Sequence, residues 1–200
     1  MPTLVHLTAA DVRRAPWKNG RGVTDELLVL PEGASFERGD FDVRVSRASV
    51  PESGPFSSFA GFDRVLVVTG GTGLLLAHGD APPGAPIEPL SPYAFAGDGR
   101  TEATLLRGPV SDFNVIVRRG RRRADVEVVR PDRGGARERL AAGDALVHVL
   151  VGTLEAGIVG DERRRYLVPG ESLLVCHARD GDELVLAGDG VVAIVVRLPR

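Results

Sequence analysis

Short runs of apolar and β-branched residues alternate along the chain with clusters of Gly, Pro and Asp. Runs of strand length without sustained helical periodicity predict an all-β protein. The predicted strands span residues 41–50, 64–69, 74–77, 101–106, 113–118, 125–129, 145–151, 154–159, 172–176, 183–187 and 191–197. A further strand is predicted to contain Thr24 and Glu26. One short helix is predicted over residues 8–14, because Thr8 suits an N-cap and Asp11 suits a first turn.

Two segments of the chain share one order of parts. Strand, tight turn, strand, Pro-containing turn and strand occur in residues 64–97 and again in residues 147–175. This order resembles a cupin barrel, whose closure removes exposed sheet edges. We therefore predict an all-β fold of two fused cupin-like β-barrels (a bicupin, RmlC-like jelly roll) with at most short helices. The first barrel would span residues 1–120 and the second 121–200, with the alternative that the N-terminal strands pair with the second barrel.

Charge and apolar-run length narrow the function classes. The formal net charge is -2, from 25 basic and 27 acidic residues spread along the chain, so we expect no nucleic-acid partner. The basic run at residues 119–123 is expected to be a solvated linker. No run approaches the roughly 18 apolar residues needed to span a bilayer, so we expect no membrane partner and a cytoplasmic location. The single Cys176 cannot form an internal disulfide. The sequence leaves a homodimer open.

The rarest residue types lie side by side. The chain has one Lys, one Trp and two Asn, and three of these four residues are Trp17, Lys18 and Asn19. Arg serves as the basic residue everywhere else, so a retained Lys indicates a site that needs a compact ammonium group. The alternative is chance clustering in a surface turn.

Several ordered motifs in the first 120 residues resemble the HutD/Ves family. They are Pro-Trp-Lys-Asn-Gly-Arg-Gly-Val-Thr-Asp-Glu at 16–26, Val-Arg-Val-Ser-Arg-Ala at 43–48, and the segments 54–64, 92–97 and 112–118. The resemblance implies a bicupin fold and, for the HutD branch, an association with histidine utilisation through an intermediate such as urocanate or formylglutamate. The Ves branch is linked to stress responses. Asp25 and Val43 depart from the family pattern, and Asp25 is expected to subtract positive charge near the site.

Strand alternation groups the polar residues of these motifs. Thr24 and Glu26 share one face of their strand, and Arg44 and Ser46 share one face of theirs. A guanidinium suits a ligand carboxylate, although most strand arginines simply point to water. The predicted ligand-binding residues are Trp17, Lys18, Asn19, Thr24, Glu26, Arg44, Ser46, Phe56, Ser57, Arg64 and Asn114.

Alternatives stay open for three of these predictions. In the first alternative, Phe56 lies in the core rather than over a ligand. In the second, Arg64 pairs with Asp63 or Glu26. In the third, Asn114 caps a loop together with Asp112, which shares its strand face. A buried Arg64 must in any case have a partner, because an unpaired interior charge is costly.

The histidine pattern does not match a metal-binding cupin. The four histidines include no His-x-His pair, and Leu173 stands where the second barrel would need a later His to join His148 and Glu155. We therefore predict no metal and no cofactor.

These observations favour a protein that binds a small organic acid, with a role in regulating histidine utilisation by sensing urocanate or formylglutamate. An enzyme is the less favoured alternative: a metal-independent isomerase or hydrolase with Glu26 or Lys18 as general base. A third is a structural partner of another protein. If Lys18 and Arg44 only bind the ligand, Lys18→Ala and Arg44→Ala should weaken binding and leave the fold almost intact.

Overall fold

The computed structural model describes residues 1–16 and 22–200, and every regular element within them is a β-strand. The strands are β1 Thr3–Leu7, β2 Arg13–Pro16, β3 Val23–Leu30, β4 Val43–Val50, β5 Gly54–Phe56, β6 Phe62–Gly70, β7 Leu74–His78, β8 Tyr93–Ala96, β9 Thr101–Leu105, β10 Val110–Arg118, β11 Asp125–Val129, β12 Ala136–Arg139, β13 Gly143–Val151, β14 Leu154–Ile158, β15 Arg165–Leu167, β16 Ser172–Ala178, β17 Glu183–Ala187 and β18 Val192–Pro199. The all-β prediction is confirmed.

The strands form two compact units. The first unit, Arg13–Arg122, has a six-stranded sheet in the order β2-β3-β4-β10-β6-β8 and a three-stranded sheet β5-β9-β7. The second unit combines Met1–Val12 with Arg123–Arg200 and has the sheets β1-β16-β13-β18-β11 and β12-β17-β14-β15. The N-terminal strand β1 pairs antiparallel with β16, from Thr3 opposite Cys176 to Leu7 opposite Ser172.

Each unit has its own apolar core between its two sheets. In the first unit, Leu66 and Val68 of β6 pack against Leu74 and Leu76 of β7 and against Ala103 of β9. In the second unit, a larger cluster joins β13, β16 and β18 to β14 and β17. Burial of these β-branched and aliphatic side chains between paired sheets is what closes a double-layered β-fold.

The helix predicted over residues 8–14 is wrong. Thr8 and Asp11 do close one turn, since the Thr8 backbone N–H and hydroxyl donate to the Asp11 carboxylate at 2.8 and 2.9 Å. The turn does not extend into a helix, because β2 begins at Arg13 and pairs with β3. A single helical turn is marginal on its own, so strand pairing determines the conformation of this segment. The described residues also contain no apolar helix long enough to cross a membrane.

Candidate functional site

The central strands of the first unit place a band of polar residues on the face that meets the unit's second sheet. Residues opposite each other in an antiparallel pair project to the same face. The register of β4, β10 and β6 aligns three such rows: Arg44–Ile116–Arg64, Ser46–Asn114–Leu66 and Ala48–Asp112–Val68. We call this the inner face, because Leu66 and Val68 belong to the core between the two sheets. The apolar side chains of Leu66 and Val68 on this face thus lie next to the charged row of Arg44 and Arg64.

Arg64 lies at the centre of the charged part. It is 5% exposed. Its Nη1 donates to the carbonyl oxygen of Ser57 at 3.0 Å and its Nη2 to Oδ1 of Asn114 at 2.9 Å. Nε has no hydrogen-bond partner among the described residues. Both acceptors are uncharged, so this buried cation has no carboxylate bonded to it within the part of the chain that the structure describes.

Three phenylalanines surround the Arg64 guanidinium. Its central carbon lies 4.9 Å from the ring centroid of Phe95, 5.3 Å from that of Phe59 and 5.5 Å from that of Phe56. These distances are within the range of cation–π attraction, which strengthens where the cation is desolvated. The rings therefore favour the charge of Arg64 and give the site apolar walls.

Asn114 connects Arg64 to a buried carboxyl group. The amide nitrogen of Asn114 donates to Oδ1 of Asp112 at 2.6 Å, and Asp112 is 1% exposed. Burial raises the pKa of Asp112 to about 7, against the opposing effects of the Arg64 charge and of hydrogen bonds from Asn114 and the Ala48 backbone. Burial likewise lowers the pKa of Arg64 to about 10, so Arg64 stays charged at neutral pH.

Arg44, the second inner-face arginine, has an ionic partner. Its Nε donates to Oε2 of Glu26 at 2.8 Å, with side-chain exposures of 10% and 11%. The guanidinium also lies over the ring of Phe36, 4.4 Å from the centroid. Arg13 approaches the other Glu26 oxygen at 3.7 Å. Arg44 therefore does not point to water, and Glu26 neutralises it.

The predicted residues fall into three groups. Thr24, Glu26, Arg44, Ser46, Arg64 and Asn114 share the inner face, as the registers of β3, β4, β10 and β6 show. Phe56 contributes its ring to the site, whereas Ser57 contributes its backbone carbonyl. Trp17, Lys18 and Asn19 lie outside the described residues.

The alternative partners considered for Arg64 are engaged elsewhere. Asp63 accepts from Arg119 at 2.6 Å, and Glu26 pairs with Arg44. The structure places Asp25 outside the inner face. Its carboxylate binds Arg47 at 3.0 Å and Arg14 at 3.3 Å. Because Asp25 and Arg47 alternate with the inner-face residues, this charge is neutralised on the opposite face of the sheet.

Sequence reasoning placed Asp112 on the strand face of Asn114 but missed Phe95 and His78 as parts of the same region. His78 ends β7, and its ring nitrogens lie 3.2 Å from the Thr101 hydroxyl and 3.3 Å from that of Tyr93. The imidazole centroid is 5.2 Å from that of Phe95. The sequence could have predicted this position, because His78 is two residues after Leu76 and four after Leu74 and so projects to the same, inward face of β7. Only the pairing of β6 with β8 brings Phe95 opposite Arg64.

The described residues of the second unit do not form a candidate metal centre at His148 and Glu155. His148 is fully buried and bonded through Nδ1 to Ser172 at 2.8 Å, while Glu155 lies 3.7 Å from Arg164. Nowhere in residues 1–16 and 22–200 do three or more His, Cys, Asp or Glu side chains form a group that could hold a metal ion. The absence of a bound metal stays a prediction, which elemental analysis can test.

Two double-sheeted β-units define a protein of the cupin class. Its fold is similar to that of protein Ylba from E. coli, of family DUF861 (TM-score 0.67, 10% identity, 98% of this chain and 90% of that one). It is also similar to the bacterial pirin YhhW from E. coli (TM-score 0.68, 9% identity, 98% and 99%). These likenesses confirm the predicted fold class.

The HutD family model matches residues 9–194, so the chain belongs to the HutD family. It is 34% identical over 165 residues, 82% of this chain and 83% of the relative, to an uncharacterized 21.2 kDa protein in the hutC 3' region of Pseudomonas putida. It is 36% identical over 122 residues to protein Ves of Citrobacter koseri, 59% of this chain and 61% of that protein.

Two solved structures are similar over the whole chain. One is a conserved protein of unknown function, PA5104 from Pseudomonas aeruginosa PAO1, with TM-score 0.90 and 30% identity over 99% of this chain and 100% of that one. The other is HutD from Pseudomonas fluorescens SBW25 in a formate condition, with TM-score 0.79 and 30% identity over the same shares. The family predicted from the motifs is therefore confirmed.

Proposed function

We propose that the first unit binds a small organic acid, with the ligand carboxylate at Arg64. The observation that supports this is the incomplete pairing of Arg64. It is buried, its two hydrogen bonds go to uncharged oxygens, and its Nε has no partner among the described residues. A buried charge is costly without a counter-charge, and a carboxylate matches the planar guanidinium fork. An acid would therefore supply the missing charge.

The two inner-face arginines have different roles in this proposal. Arg44 is bonded to Glu26 at 2.8 Å and is neutralised within the protein. Arg64 is the cation left for a ligand, and the rings of Phe56, Phe59 and Phe95 provide apolar surface for the body of a small acid. Lys18 and Asn19 are further candidate contacts from the sequence motif.

The proposed biological role is regulation of histidine utilisation by sensing urocanate or formylglutamate in the cytoplasm. This choice of acids rests on the association of the HutD branch with histidine utilisation. The chain belongs to the HutD family, and a relative from P. putida is described by its position in the hutC 3' region.

Catalysis by Glu26 is the weaker alternative. A general base must be free to accept a proton from its substrate. Both oxygens of Glu26 lie near arginines, at 2.8 Å from Arg44 and 3.7 Å from Arg13. A reaction at Glu26 would first have to break the bond to Arg44. The other candidate base, Lys18, lies outside the described residues.

A thermal-shift panel tests the proposal. Urocanate, formylglutamate, formiminoglutamate and histidine are compared with unrelated acids. A ligand that binds only the folded state adds about 2.7 kcal/mol at a hundredfold excess over Kd, which corresponds to a rise of several degrees in Tm. We expect selective shifts that disappear in Arg64→Gln and persist in the control Arg47→Gln, whose side chain pairs with Asp25 on the opposite face. Equal, negligible shifts up to millimolar acid would contradict the proposal.

A further inference from the structure

Two opposite charges are buried on the inner face without touching. Arg64 donates to Asn114 at 2.9 Å, and Asn114 donates to Asp112 at 2.6 Å. The intervening amide is neutral and polar, so it satisfies one hydrogen bond of each charged group without neutralising either. Asp112 thus keeps its carboxyl group in a buried position, 1% exposed, with its nearest cation one residue removed.

Asp112 lies on β10, and its neighbours come from the two flanking strands, β4 and β6. On β4, Ala48 lies directly opposite and bonds Asp112 through its backbone, with Arg44 further along the same face. On β6, Val68 lies opposite, with Arg64 further along. The described titratable or charged side chains near Asp112 on the inner face are Glu26, Arg44, Arg64 and Tyr93, and His78 faces them from β7. At the ends of the face, Arg13 pairs with Glu37 as well as lying near Glu26, and Arg118 pairs with Asp42. Apart from these two outer pairs, two arginines, Arg44 and Arg64, face two carboxyl groups, Glu26 and Asp112.

A bound acid changes this balance. If Glu26 and Asp112 both stayed ionised, a ligand carboxylate at Arg64 would leave the set with one excess negative charge in a buried region. Like charges at close range disfavour each other's ionised forms. The ligand would also take over the attraction of Arg64, which now favours ionised Asp112. Glu26 keeps its own direct bond to Arg44, so Asp112 is the carboxyl group that can release the excess charge.

We propose, on the basis of the acid-binding function proposed above, that Asp112 takes up a proton from solvent when an acid binds at Arg64. One O–H bond forms at the Asp112 carboxylate, the buffer supplies the proton, and no bond of the ligand changes. Acid and proton then bind together, and the site stays electrically balanced. The protein would respond to the acid and to pH at once.

The pH dependence of affinity is a consequence of this coupling. Burial already raises the pKa of Asp112 to about 7, and the ligand charge would raise it further. Below pH 7 Asp112 is largely protonated before the acid binds, so the affinity for the acid is highest and nearly constant. Above it, each binding event must bring a proton, so affinity falls by at most about tenfold per pH unit.

Calorimetry on the intact protein measures the proton directly. Formylglutamate and urocanate are titrated at pH 7.5 in buffers of different ionisation enthalpy, and the buffer dependence of the heat gives the number of protons taken up. Because Asp112, with a pKa of about 7, is already partly protonated at pH 7.5, we expect an uptake of about three quarters of a proton per acid. Asp112→Asn serves as the blank for protons taken up by the ligand or by other groups, and it should bind with similar affinity at pH 6 and pH 8.5. His78→Asn removes the histidine that faces this region from β7, and it should retain the proton uptake.

The outcomes separate the two proposals. Binding with the same proton uptake in wild type and Asp112→Asn overturns the coupling and leaves the acid-binding function standing. Binding of neither acid overturns both. Loss of the uptake in His78→Asn alone assigns the proton elsewhere and also overturns the coupling. If Asp112→Asn does not fold, carboxyl ¹³C spectra of the wild type decide: the Asp112 signal must move to the protonated position on binding.

Discussion

Arg44 donates to Glu26 at 2.8 Å within the inner face of the first unit, and both side chains are about nine-tenths buried, with exposures of 10% and 11%. Arg64 lies in the same row of the sheet, with only Ile116 between the two arginines. Arg64 has no such carboxylate among its described hydrogen-bond partners. Two arginines of one row thus differ in the property that matters for ligand binding, which is whether the protein itself supplies the counter-charge.

Removal of one member of the Arg44–Glu26 pair should destabilise the fold. Arg44→Ala leaves Glu26 as a largely buried carboxylate without its main partner, a change that costs about 3–5 kcal/mol where burial is complete. We expect a loss near the lower end of that range, measured by urea denaturation. This result would reverse the sequence-based prediction that Arg44→Ala leaves the fold almost intact.

The double variant Arg44→Met/Glu26→Leu provides the control for this prediction. It removes both charges and keeps apolar volume, so it should be more stable than Arg44→Ala. Equal losses in the single and double variants would show that the alkyl chain of Arg44, rather than its charge, holds the strands together.

Arg64 should behave in the opposite way in the ligand-free protein. When Asp112 is protonated, the burial of Arg64 is offset by two neutral acceptors and three aromatic rings. At pH 6, where Asp112 is mainly protonated, Arg64→Met should therefore be about as stable as the wild type, or more stable. Urea denaturation without ligand measures this, and a large loss of stability in Arg64→Met would assign Arg64 to the folding core instead.

The sequence predicts local alternation well and distant pairing poorly. Alternation within β4 and β10 correctly places Arg44 with Ser46 and Asp112 with Asn114, because side-chain direction in a strand depends on the chain itself. The position of Phe95 over Arg64 depends on β8 pairing with β6, and that register joins residues far apart in the chain. The environment of Arg64 could not be read before the strand order was known.

The failed helix has the same physical origin. Thr8 and Asp11 form the local hydrogen bonds that the sequence predicts. The next residues are held instead in β2, where Arg13 pairs opposite Glu26 in the sheet. A nonlocal contact thus overrides a weak local preference.

The purified protein should contain no stoichiometric transition metal. A cupin metal site needs several convergent histidines and a carboxylate. In the second unit the ring of His148 is bonded to Ser172 and Glu155 lies beside Arg164. Elemental analysis after purification without chelators checks this, and about one iron, zinc or manganese per chain would contradict it.

Asp112 should make the ligand-free protein less stable as pH rises. Its pKa is about 7 in the folded protein and about 3.9 in an unfolded chain. Between these values the folded state binds more protons, so the contribution of Asp112 to stability is fully present below pH 4 and is lost as pH rises through 7. The loss reaches about 4 kcal/mol at most. Asp112→Asn has no such titration, so its stability relative to the wild type should increase between pH 4 and about pH 7 and then level off.

The surface variant Asp80→Asn is the matched control, because it makes the same chemical change at an exposed position. Its difference from the wild type at each pH shows what the Asp-to-Asn change does at an exposed position. Chemical denaturation at several pH values gives both differences on one scale. If the curves of Asp112→Asn and the wild type run parallel from pH 4 to pH 8, Asp112 is ionised throughout, and the buried carboxylate must be compensated by a partner beyond Asn114 and Arg64.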